Sequence, residues 1–192
     1  MKLLRIGTIM AAVLGITACS SDVRLTQQEI SPSYKSGEFA YAGADRDMKV
    51  VVVGNPFGGD QEAFGRAVTG YMQGNHWGPR TNFTTAPGAS ARNIYRVIML
   101  FDPPKTLVGM RLCRETASAL PTERTGQKIV VFAAFCRGNE TMTEIKGRIR
   151  EATGSEDPAF GDLIAQVTNA LFPPDRRFED DHGSCPPWLQ CD

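Results

Sequence analysis

The run Lys128–Phe135, KIVVFAAF, constrains the fold more than any other segment. A β-branched and aromatic run of that length, bounded by turn residues, reads as a strand; as the most apolar run in the chain it belongs in the middle of a sheet. Met48–Val53 (MKVVVV) is a second buried strand, closed by the turn chemistry of Gly54-Asn55-Pro56-Phe57-Gly58-Gly59. Asn93–Phe101 and Thr106–Cys113 flank a tight Asp102-Pro103-Pro104-Lys105 turn and read as a hairpin. Around these strands the spacing predicts three helices. Asp60 caps the first, with Phe64, Val68 and Met72 on one face. Thr141-Met142-Thr143-Glu144 matches a capping box before the stripe Met142, Ile145, Ile149. Asp157 caps the third, with Pro158 at its first position and Phe160, Leu163, Ile164, Val167 and Leu171 facing one way until Pro173-Pro174. The order predicts an α+β domain: a largely antiparallel sheet of about four strands, with helices on one face, in a single unit over residues 48–174.

Ahead of that unit lies a different kind of sequence. Lys2 and Arg5 precede an apolar run from Ile6 to Ile16, which is the anatomy of a secretory signal peptide and too short to span a bilayer. The run ends in Ile16-Thr17-Ala18-Cys19, which resembles the lipobox of bacterial lipoproteins. The resemblance implies cleavage after residue 18 and lipid attachment to Cys19. Two or three acyl chains hold a protein durably at a membrane without a spanning helix. Ser20 stands where lipoproteins retained at the inner membrane usually carry Asp. By that resemblance the destination is the outer membrane, with the domain in the periplasm and the lipid anchor as its membrane contact. Residues 19–47, polar and broken by Pro32 and Gly37, read as the lipidated N-terminus and a flexible tether, with a short ordered piece near Phe39 and Tyr41.

Without residues 1–18 the chain keeps 19 basic and 21 acidic residues, a formal charge of −2. That near-neutral balance argues against a nucleic-acid partner.

Candidate chemistry is sparse. The glycine-rich turn at 54–59 lacks both the Lys-Ser/Thr of a P-loop and the G-x-G-x-x-G of a dinucleotide site, and Asp60 would occupy the helix end that a phosphate needs. The only histidines are His76 and His182, and neither sits in a zinc-type spacing, so no metal or other cofactor is expected. There is no Gly-x-Ser-x-Gly, Ser-x-x-Lys or Cys-x-x-Cys.

Five cysteines become four once Cys19 carries lipid. Cys185 and Cys191 bracket a short segment of the tail 175–192, which points to Cys113–Cys136 as the other bridge. One objection stands. If the strands ending at these cysteines formed a simple hairpin, the thiols would lie roughly 20 Å apart. Either those strands run parallel, or the intervening loop folds one cysteine back, or the pairing crosses to the tail.

An anchor and a core without a catalytic constellation point to a non-enzymatic binding or envelope-assembly protein with a protein or envelope partner. Trp77 in the 74–88 loop and Trp188 in the tail are contact candidates. The alternative is an envelope hydrolase or small-ligand binder that uses the 74–88 loop, His76 and Trp77 as its pocket wall.

Overall fold

The structure, a computed structural model, describes residues 22–105, 112–115, 119–123, 126 and 128–175. The expected signal segment, Cys19, Cys185, Cys191, His182 and Trp188 lie outside these residues. The elements run β1 (Arg24–Ile30), α1 (Ser36–Gly43), β2 (Asp47–Val53), α2 (Gln61–Met72), β3 (Asn82–Thr84), β4 (Tyr95–Phe101), β5 (Ile129–Arg137), β6 (Glu140–Ile149) and α3 (Pro158–Leu171). The strands form one sheet in the order β1-β6-β5-β4-β2-β3. β1, β6, β5 and β4 pair antiparallel with one another, while β2 runs parallel to both β4 and β3.

Among the described residues the fold is therefore α+β and a single domain, with six strands instead of about four and a mixed sheet instead of a largely antiparallel one. The parallel pairs have a plain cause. The segment after β2 crosses over through α2, and a crossover of that length returns the chain in the same direction.

β5 lies between β4 and β6, as its composition predicts, and is apolar on both faces. Val131, Ala133 and Phe135 face the main core, which they share with Phe39 of α1, Phe64 and Val68 of α2, and Phe160 and Leu163 of α3. All three helices thus cover one face. Phe132, Ala134 and Cys136 point the other way, into a second cluster with Ile98, Leu100, Leu112, Cys113 and Leu120.

Three expectations fail. Residues 141–149 form strand β6, not a helix. Ile145, Gly147 and Ile149 face the core, while Lys146 and Arg148 face outward, a period of two. A bulge between Phe135 and Cys136 accompanies an inward-turned Met142, so its spacing to Ile145 imitates a helical stripe. Gly147 fixes the packing here, because a Cβ at that position would overlap the Val167 and Leu163 side chains. The expected tether is the second failure, since residues 24–43 contain β1 and α1; the short ordered piece expected near Phe39 and Tyr41 is part of α1. β1 escapes a hydrophobic reading because it is an exposed edge strand, held through its backbone to β6. Third, the partner of β4 is β5 and not residues 106–113. Residues 106–111 lie outside the described set, and 112–114 form a turn.

That turn answers the disulfide objection. Cys113 and Cys136 are bonded, with Cα atoms 5.6 Å apart. The loop lays Cys113 back over the outer face of β5, where Arg96 Nη2 donates to the Cys113 carbonyl at 2.6 Å. α2 and α3 start where expected, with the side chains of Asp60 and Asp157 accepting from Ala63 N and Ala159 N.

Candidate functional site

Strand directions give the molecule two distinct ends. Arg24 pairs with Arg148, and Ile129 with Ile149, so the start of β1 lies beside the end of β6 and the start of β5. Tyr95 pairs with Arg137 at the opposite end, beside the β5–β6 turn. A seven-residue strand such as β4 puts roughly 20 Å between those ends at about 3.3 Å per residue.

At the β5–β6 turn, α1 is locked to the sheet by charge. Tyr95 Oη donates to Glu38 Oε1 at 2.6 Å, and Arg137 Nη1 donates to the same oxygen at 2.8 Å. Arg137 Nη2 also reaches Glu140 at 2.7 Å. The Tyr95 hydroxyl holds the Glu38 carboxyl below its usual range, and Arg137 adds to the effect. Burial, reinforced by Glu38, pushes Tyr95 up to about 12. Each charge in the cluster already has its partner, so the cluster reads as a clasp and not as an acid–base pair poised near neutral pH.

The same end carries exposed apolar side chains. Tyr41, Ile94 and Trp77 are 56%, 54% and 50% exposed. Arg92 stacks on the Tyr41 ring at 3.7 Å and donates to its hydroxyl and its backbone carbonyl, which fixes the rotamer of an exposed aromatic. His76 and Trp77, adjacent in sequence, do different things. The His76 ring sits edge-on to Phe39 and Phe83, each at 5.3 Å, and to Phe172 at 6.3 Å. That burial lowers its pKa. Trp77 faces outward.

The 74–88 loop borders a groove of about 310 Å³ lined by Asp45, Arg46, Asp47, Gln73, Arg80, Thr81 and Asn82. Its polar groups bond one another. Asp47 accepts from Asn82 Nδ2 and Gly88 N, each at 2.7 Å, and its carboxyl is held low by these bonds, Asn82 foremost. Gln73 donates to the Phe83 carbonyl and accepts from Phe83 N, and Arg80 pairs with Asp45 at 3.2 Å. These bonds fasten β3 and its loops to β2.

The glycine-rich turn is structural in the same way. Asn55 accepts from Phe57 N and donates to the Gly58 carbonyl, and Asp60 caps α2. Gly54, Gly58 and Gly59 all have positive φ. Among the described residues no group of three or more His, Cys, Asp or Glu is placed to hold a metal ion.

Of the described residues singled out from sequence, Cys113 and Cys136 come together in the disulfide. Trp77 is exposed and His76 is packed. Tyr41, Arg92 and Ile94 were missed as surface features. Nothing in their spacing marks them, because the Tyr41–Arg92 contact joins residues 51 positions apart.

No family model matches the chain, and no curated protein sequence matches it. Among solved structures, it is similar to a dodecamer of a PelC point variant from Paraburkholderia phytofirmans, at 11% identity and a TM-score of 0.42, over 78% of this chain and 96% of that one. A likeness of that degree transfers no function.

Proposed function

We propose that the chain is an outer-membrane-anchored periplasmic lipoprotein whose domain binds a protein or another envelope component and is not an enzyme. The lipobox-like Ile16-Thr17-Ala18-Cys19 supports the address. The observation that carries the binding role is the exposure of Tyr41, Ile94 and Trp77 toward the end of the sheet remote from Arg24. Aromatic and arginine side chains held in fixed rotamers are the residue types that anchor interfaces, since little conformational entropy is lost when they are covered. A chain tethered through residue 19 would present that end away from the membrane. The alternative reading, a hydrolase or small-ligand binder built on the 74–88 loop, gains little support from a groove whose polar groups already satisfy one another.

Photo-crosslinking in native envelopes tests the proposal. A crosslinker at position 41 or 77 should capture the same partner in repeated preparations, and one at exposed Arg66 on α2 should not. Failure at 41 and 77 to yield a reproducible adduct, or equal yield from position 66, would overturn it.

A further inference from the structure

The end of the sheet where the chain enters carries a feature that the binding end does not explain. Arg24, Lys128, Arg148 and Arg150, with Asp22, line a groove of about 220 Å³ formed by the start of β1, the start of β5 and the end of β6. All four basic residues are exposed. Asp22 is the single acid in the groove, and its two contacts are weak: 3.3 Å to Arg24 and 3.8 Å to Arg150, with the arginine side chains 61% and 77% exposed. Glu151 follows Arg150, and Lys146 continues the basic row outward along β6, opposite Thr26. In a chain of formal charge −2 after residue 18, this is a local excess of positive charge, not a reflection of overall composition.

Its position gives it meaning. Asp22 is three residues beyond Cys19, and three residues of extended chain reach at most about 11 Å. On the anchor reading, the groove is therefore held within that distance of a membrane surface. We propose that Arg24, Lys128, Arg148 and Arg150 form a docking face for the phosphate groups of anionic glycerophospholipids in the leaflet that holds the anchor. The proposal rests on the anchor reading for its geometry. Charge complementarity supplies the rest: arginine forks match phosphate oxygens, and basic residues beside an acyl anchor add a second membrane attachment. The face would set the domain upright, with the sheet end bearing Tyr41 and Trp77 turned outward.

The test uses the processed chain from residue 20 onward, made without acyl groups, and flotation with vesicles of phosphatidylcholine alone or with about one third phosphatidylglycerol. The chain should float with the anionic vesicles only and be released as salt rises to about 0.5 M. At about fivefold per basic residue near an anionic surface, replacing all four by glutamine should weaken binding on the order of a hundredfold or more. The corresponding all-lysine variant should bind more weakly than the parent but well above the glutamine variant, and Arg66→Gln with Arg80→Gln should leave binding unchanged. Unchanged melting of each variant separates loss of charge from loss of fold. Equal binding to both vesicle types, no binding to either, or persistence in the glutamine variant would overturn the proposal. So would displacement by millimolar inorganic phosphate at constant ionic strength, which would mark a free-anion site instead. Palmitate labelling of the full chain and of Cys19→Ser reads the anchor separately. Labelling that depends on Cys19 without charge-selective flotation sinks the docking face alone, whereas charge-selective flotation of a chain that takes no label sinks the anchor alone.

Discussion

His76 shows how one residue can carry a loop. Its ring closes an aromatic cluster with Phe39, Phe83 and Phe172, and burial lowers its pKa below the usual histidine value. The unfolded chain therefore binds this proton more readily than the folded one, so acid favours unfolding. The stability linked to His76 is complete above the ordinary histidine pKa and is lost as pH falls through that value toward the folded one. Melting temperature should drop between roughly pH 7.5 and 5.5, where carboxylates barely titrate. His76→Phe, which keeps an aromatic ring in the cluster, should flatten that slope. An unchanged slope in the variant would show that the ring is not the titrating group responsible. From sequence, His76 stands out beside Trp77 in a glycine-flanked loop, but nothing local separates a packed ring from a pocket wall. Its partners are not legible, since Phe39, Phe83 and Phe172 come from three distant segments.

At the scale of elements, α1 owes its start to the far end of the chain. Lys35 stands at the N-cap and offers no side-chain oxygen to the first turn. Asp175 supplies it from beyond α3, accepting from Ser36 N at 2.8 Å and Ser36 Oγ at 2.9 Å, while Tyr34 Oη donates to the Pro173 carbonyl at 2.9 Å. Asp175→Ala should cost about 0.5–2 kcal/mol, the usual range for a lost N-cap. The loss should appear first as faster amide exchange at Ser36, whereas uniform loss of protection across the domain would contradict a local cap. This remote cap also explains why α1 is hard to read. Helices α2 and α3 carry their own capping residues and apolar stripes, so local sequence suffices. α1 takes its cap from a residue 139 positions away, and β1 has no buried face to announce it. β6 misleads for the opposite reason. Its Thr-x-x-Glu box and its spacing fit a helix, but Thr141, Thr143, Ile145 and Ile149 are β-branched, and pairing with β5 decides the outcome.

For the whole molecule, the disulfide decides how the outer face of the sheet is covered. Among the described residues no helix lies there; Leu112, Cys113 and Leu120, from the segment after β4, do, with Cys113 bonded to Cys136 of β5. Closing a loop with a sequence separation of 23 stabilises the fold by about 3 kcal/mol in the chain-entropy account. Replacing both cysteines by serine should lower the melting temperature by about 10 °C. It should also expose Phe132 and Leu112 to solvent, seen as increased binding of a hydrophobic dye. A variant that melts as the parent does would mean that the apolar cluster alone holds the loop. The central position of β5 and the packing of α2 and α3 on the sheet follow from apolar patterning, whereas α1 does not. The two-ended character of the molecule does not, because it depends on strand order, which brings Arg24 beside Arg148 from a distant part of the sequence.

On the proposed lipoprotein reading, that same pairing has a consequence for export. β1 is the first described strand in the chain, and β6, the last, is its partner in the sheet. A chain that emerges from a translocon N-terminus first cannot dock β1 until residue 149 is across. Through most of such a passage β1 would stay unpaired, and the chain ahead of it open to whatever enzymes work on it. Completion of the sheet would then draw β1 into place, so the strand order itself would keep the N-terminal region accessible until nearly the whole domain had crossed.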